Sequence, residues 1–159
     1  WDDILEKFGA FIPKGMKLFL SVERPIEFKP TNPPNPLKVE DSEPVEDVWF
    51  RIKGSSKVIS DGLSTAMKQQ ILAYVSDYNI LTSPQKPNAS NIALTRLQTA
   101  SLDHSMWFYR DFDLHDWMLF SSESPNSFGA RGLGIGSIFS KEGVLIASFV
   151  QEGLLRPKK

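Results

Sequence analysis

Residues 61–77, DGLSTAMKQQILAYVSD, decide the fold, because they carry the one long helical signal and nearly everything after them reads as strand. Leu63, Met67, Ile71 and Val75 recur at four-residue steps, and Leu72 widens the stripe. Asp61 stands where an N-cap is needed. Ala66, Ala73 and Ser64 keep the helix slim, as suits a well-buried helix wrapped by a sheet. From residue 92 the texture changes to IALTRLQTASLDHSMWFYR (92–110), WMLFSSES (117–124), ARGLGIGSIFS (130–140) and GVLIASFVQEGLL (143–155). Turns are expected at Asp111–Asp116, Pro125–Asn126 and Lys141–Gly143. Consecutive strands with such short connections predict an antiparallel meander. Upstream, RPIEFKP (24–30) and VEDVWFRIKG (45–54) add two strands around TNPPNPLKVEDSEP (31–44), whose prolines keep it out of a sheet interior. The expectation is an α+β domain, with one long helix packed on an antiparallel sheet of five or six strands. Residues 1–14 place Trp1, Ile4, Leu5, Phe8 and Phe11 at three- and four-residue steps before Pro13 and Gly15. That reads as a short amphipathic linker helix arriving from something upstream.

Composition narrows the chemistry. A chain of 159 residues, 41% apolar, can bury one sizeable core. Its net charge of -1, with acids and bases interspersed, argues against a nucleic-acid partner, which would need clustered Lys and Arg. The absence of cysteine excludes disulfides, thiolate metal sites and a cysteine nucleophile. Two histidines, His104 and His115, leave little for a zinc site. No apolar run reaches the roughly 20 residues of a membrane span, and WDDILEKFGAFIPKG lacks the order of a signal peptide. A soluble, intracellular protein is expected.

Within this frame a few residues stand out. Asp77 lies in the last turn of the expected helix, at the negative end of the macrodipole, a placement unfavourable by some tenths of a kcal/mol or more. It is either a simple cap or a general base. Gln151 ends a row with Leu145, Ala147 and Phe149 on one strand face. If that face is the core, its amide needs partners, because leaving it unsatisfied costs roughly 1–3 kcal/mol; otherwise it has already reached solvent. Gly132, Gly134 and Gly136 leave one strand face bare, which marks close approach of another backbone or a ligand. The central helix or an acyl chain would fit there. GLGIG lacks the spacing and the following helix of a nucleotide loop. His104 shares an apolar face with Ala100, Leu102, Met106 and Phe108, and reads as a core histidine or a catalyst. Ser101, Asp103 and His104 are too close along one strand for a hydrolase triad, and no G-x-S-x-G elbow is present.

The segments RPIEFKP (24–30), NPLK (35–38), VWFRIKG (48–54), AYVSDYN (73–79), SLDHSMWF (101–108), SPNSFGARGLGIGSIF (124–139), EGVLIAS (142–148) and FVQEGLLR (149–156) resemble, in order and spacing, the second half of bacterial thioesterase II and its peroxisomal acyl-CoA thioesterase relatives. The resemblance runs from about residue 15 to residue 156. It implies a hotdog fold, a long helix wrapped by an antiparallel sheet, as the C-terminal half of a double hotdog. Residues 15–159 would be that domain and 1–14 the linker from an N-terminal hotdog. The family's catalytic groups are an Asp at the end of the second hotdog helix, a Thr or Ser just before the D-H-S motif and the Gln of V-Q-E-G. They fall on Asp77, Ser101 and Gln151. Because Ser101 lies off the apolar face of its strand, a bulge or an interface-facing position is needed to bring it to the site. Gly132, Gly134 and His104 are secondary candidates for substrate contact. The implied activity is hydrolysis of fatty acyl-CoA by an activated water, with no acyl-enzyme and no cofactor beyond the CoA of the substrate. A non-catalytic acyl-CoA-binding or assembly domain is the alternative reading. The resemblance further implies the N-terminal hotdog as partner, self-association, and a peroxisomal location with the cytoplasm as alternative. The C-terminal Pro157-Lys158-Lys159 is not a peroxisomal tripeptide.

Overall fold

The computed structural model describes residues 25–33, 39–53, 62–94 and 97–157; the linker helix expected over 1–14 and the expected N-cap Asp61 lie outside them. Alternating apolar and polar residues build β1 (Ile26–Pro30), β2 (Val45–Ile52), β3 (Leu97–Ser101), β4 (Ser105–Phe108), β5 (Met118–Phe128), β6 (Arg131–Ser140) and β7 (Leu145–Pro157). The helices are α1 (Thr65–Ser76) and α2 (Ala89–Leu94), with a 3-10 segment at Ser83–Asn88 between them. The strands form one antiparallel sheet in the order β1-β2-β5-β6-β7-β3, and β4 continues the β3 edge along β7. This is the α+β hotdog arrangement that the resemblance implies.

Period-two alternation sends Phe50 and Ile52, Met118 and Phe120, Ile138, and Ala147 and Phe149 to one face, where they bury Leu72 and Val75 of α1. The rings of Phe120 and Phe149 meet at 5.1 Å in a tilted pair. Ser64, whose Oγ accepts from the Met67 amide at 3.3 Å, caps α1 three residues later than expected. The buried stripe is also rotated from the expected one. Leu72, Val75 and Ser76 are buried, while Met67 is 46% and Tyr74 61% exposed. The sheet covers one side of the helix, so the side carrying Met67 and Tyr74 is left to solvent.

Two further expectations are corrected. The strand expected from residue 92 begins at Leu97, because 89–94 are helical. Asp41 Oδ1 accepts from the Ser90 amide and hydroxyl, both at 2.8 Å, a cap that the local sequence does not contain. The turn expected at Pro125–Asn126 is instead interior to β5, where the register shifts between Glu123 and Asn126 and the Ser124 amide bonds Pro44 O at 2.9 Å. Proline is tolerated at such an interruption. The hairpin turns at Gly129 and Ala130, with φ of 64° and 60°, as a type I′ turn requires. The expected turn at Lys141–Gly143 is present, with Gly143 at φ 82°.

Candidate active site

The position of Asp77 follows from how the chain leaves α1. Asp77 is the C-cap, with φ -75° and ψ -17°, and a turn carries the chain on to Pro84 at the start of the 3-10 segment. This run lies directly on the glycine face of β6 and β7. A Cβ on Gly132 would stand 2.6 Å from Pro84 Cβ, and one on Gly134 would stand 2.7 Å from both Ile80 O and Ile80 Cγ1. The close approach marked by these glycines is thus made by the chain just past the helix end, and it brings Asp77 down onto β7.

Gln151 is the cross-strand partner of Gly134 and is fully buried on the inner face of β7. Its amide is completely used. Nε2 donates to Asp77 Oδ1 at 2.7 Å and to Ser101 Oγ at 2.8 Å, while Oε1 lies 2.5 Å from His104 Nδ1. Ser101 Oγ in turn donates to Asp77 Oδ1 at 3.1 Å. Asp77, Ser101 and Gln151 therefore form a closed triangle of hydrogen bonds from three separate parts of the chain. Gln151 is its buried corner, and Asp77 and Ser101 are solvent-exposed.

A bulge between β3 and β4 makes the triangle possible. Ser101 pairs with Gly153 but Ser105 pairs with Val150, so Leu102, Asp103 and His104 stand opposite Gln151 and Glu152 alone. One extra residue reverses the alternation. Ser101 faces inward with Gly153, and Met106 faces inward with Phe149 from the opposite parity. Strict alternation along 99–110 had put Ser101 and His104 on different faces; the bulge sets both beside Gln151. Asp103 braces it: Oδ1 accepts from the Glu152 amide at 2.8 Å, a donor the interrupted ladder would otherwise leave without its strand partner.

His104 is not a core histidine. It is exposed, stacks against Phe149 at 6.0 Å and is hydrogen-bonded at both ring nitrogens, to Gln151 and to Ser76 Oγ at 2.9 Å. Both nitrogens being engaged there, the ring is not the base for Ser101, whose hydroxyl goes straight to the carboxylate. The roles of Ser76 and Asp103 were missed from sequence. A signal for Ser76 was present, since it lies four residues after Leu72 and so on the buried stripe. Asp103 gave none, because its task exists only once the bulge does. Among the described residues no group of three or more His, Asp or Glu side chains is placed to hold a metal ion.

Residues 19–154 match the family description for acyl-CoA thioesterases. Acyl-CoA thioesterase 2 of Haemophilus influenzae is 35% identical over 153 residues, covering 96% of this chain and 52% of its own length. Acyl-coenzyme A thioesterase 8 of Mus musculus is 38% identical over 144 residues, covering 91% of this chain and 43% of its own. The crystal structure of an acyl-CoA thioesterase II from Mycobacterium marinum is similar with a TM-score of 0.67 at 33% identity, over 85% of this chain and 51% of that one. The chain thus spans about half the length of the curated relatives it matches.

Proposed function

Because this chain belongs to the acyl-CoA thioesterase family, we propose that it hydrolyses fatty acyl-CoA thioesters to free acid and CoA, with Asp77, Ser101 and Gln151 as its catalytic groups. The observation that carries the reading is the hydrogen-bonded triangle. Water is a poor nucleophile until a base takes its proton and its position is fixed. Asp77 is the base. Ser101 and the Gln151 amide orient the carboxylate and the water it holds. The water oxygen bonds to the acyl carbon as Asp77 takes a proton, and collapse of the tetrahedral intermediate breaks the C–S bond. The proton held by Asp77 then goes to the departing sulfur. No acyl-enzyme forms and no cofactor is used.

The working unit is a pair of hotdogs, this domain with an N-terminal one, and it self-associates. Its location is peroxisomal, by resemblance alone; imaging of the full-length protein against a peroxisomal marker distinguishes this from the cytoplasm.

The test is CoA release from palmitoyl-CoA by a polypeptide that also carries the N-terminal hotdog, followed with a thiol reagent that finds no cysteine in this chain. Asp77→Asn keeps the shape and removes the base, so kcat should fall on the order of 10²-fold or more, with a smaller change in KM. Ser101→Ala and Gln151→Ala should each cost less, and their effects should not add to that of Asp77→Asn. Near wild-type turnover in Asp77→Asn, or an acyl group trapped on Ser101, would overturn the scheme. Acyl-CoA binding without any CoA release would favour the non-catalytic alternative.

A further inference from the structure

Of the groups around the triangle, His104 and Ser76 make no contact with Asp77 or Ser101 that the mechanism uses, yet they terminate its hydrogen-bond chain. A glutamine amide can sit in two orientations related by a half-turn, and only one aims the N–H pair at Asp77 and Ser101. The other would set Oε1 against the carboxylate. Which orientation is held depends on what faces the far side of the amide. There the structure places His104 Nδ1, at 2.5 Å from Oε1.

We propose that His104, held by Ser76, is a positioning residue: its Nδ1–H fixes the Gln151 amide with both N–H groups directed to Asp77 and Ser101. The inference rests on the hydrolytic reading of the triangle and deepens it. In a neutral imidazole one nitrogen donates and the other accepts, and the partners decide which. Oε1 can only accept, so Nδ1 carries the proton. Nε2 then accepts from Ser76 Oγ, 2.9 Å away. Ser76 is buried, and Ala73 O, 2.7 Å away in the last turn of α1, is the alternative acceptor for its single hydroxyl proton. If the ring takes a second proton, Nε2–H donates to Ser76 and the Ser76 hydroxyl turns to Ala73 O. In both states Nδ1 stays a donor and the Gln151 amide keeps its orientation. Phe149, stacked 21° from the ring plane, holds the imidazole in place.

Two measurements test this. The chain contains two histidines, so ring-nitrogen NMR with a His115→Gln variant assigns His104. At a pH where the ring is neutral, His104 should carry its proton on Nδ1 and lose that preference in Gln151→Ala. A neutral His104 protonated on Nε2 overturns the proposal. In the thioesterase assay, His104→Ala should lower kcat about 10-fold with little change in KM. His104→Asn, which restores an N–H donor on the Nδ1 side, should recover most of that loss. His104→Ala added to Gln151→Ala should cost almost nothing further, because the residue acts through that amide. Additive losses in the double variant would overturn the positioning role. A wild-type polypeptide carrying both hotdogs that releases no CoA would sink the hydrolytic reading and leave the ring-nitrogen result to decide this one.

Discussion

Gly134 has no room for a side chain, and the atom that denies it room matters. A Cβ there would meet Ile80 O, a backbone atom, at 2.7 Å, whereas at Gly153 it would meet the Leu81 side chain at 2.5 Å. A leucine side chain can change rotamer; a carbonyl moves only with the turn that carries it, and that turn begins at Asp77. Gly134→Ala should therefore destabilise the fold by about 1–3 kcal/mol, more than Gly153→Ala does. It should also lower kcat, because displacement of a catalytic group by about 1 Å can cost on the order of 10²-fold. Urea midpoints and CoA-release rates for the two variants check this. An unchanged midpoint in Gly134→Ala would show that the turn yields freely and that Asp77 is held by its hydrogen bonds alone.

At the scale of elements, the bulge between β3 and β4 decides the site, and it is held by Asp103. Asp103→Ala removes the acceptor of the Glu152 amide and should cost about 1 kcal/mol. It should also reduce turnover, since Ser101 adjoins the bulge and His104 belongs to it; Asp103→Asn keeps an acceptor and should retain both properties. Equal loss in the two variants would point to charge rather than the brace. The same bulge explains what could be read in advance. Alternation and helical spacing gave the sheet, its antiparallel sense and the helix that ends at Asp77, because those signals are local. They could not give the parity reversal at Leu102–His104, so Ser101 reached the site by resemblance and not by its own pattern. Nor could they give α2, whose cap Asp41 is distant in sequence. That cap has a pH signature. The Ser90 amide first, and its hydroxyl second, hold the Asp41 carboxyl below its ordinary value. A lowered folded-state pKa stabilises above the unfolded value of about 3.9 and loses that stabilisation as pH falls through the folded value. The stability gap between wild type and Asp41→Asn should thus be constant above about pH 5 and shrink below about pH 3.9. A gap independent of pH would remove the carboxylate from the account of this cap.

For the whole molecule, the question is what covers the open side of the triangle. Gln151 is fully buried, but Asp77 and Ser101 are exposed, and so are Met67 and Tyr74 on the open side of α1 and Tyr78 in the turn just past its end. Leu102 at the bulge is 53% exposed as well. Exposed apolar side chains near the carboxylate proposed as the base suit a surface that another domain closes, and closing it would exclude bulk water from the acyl carbon and strengthen the hydrogen bonds around Asp77. The curated relatives are about twice as long as the aligned region, this chain spanning 52% of the Haemophilus influenzae protein. The isolated 159-residue chain should therefore self-associate at micromolar concentration, and it should hydrolyse palmitoyl-CoA far more slowly than a polypeptide that also carries an N-terminal hotdog. Sedimentation velocity and CoA release, run on both forms, check the two expectations. Met67→Lys and Tyr74→Lys, on the exposed side of α1, should weaken association while leaving thermal stability near that of the parent, because neither side chain belongs to the core. A strictly monomeric chain with the specific activity of the longer protein would show that the triangle works uncovered, and that the exposed side of α1 serves some other contact.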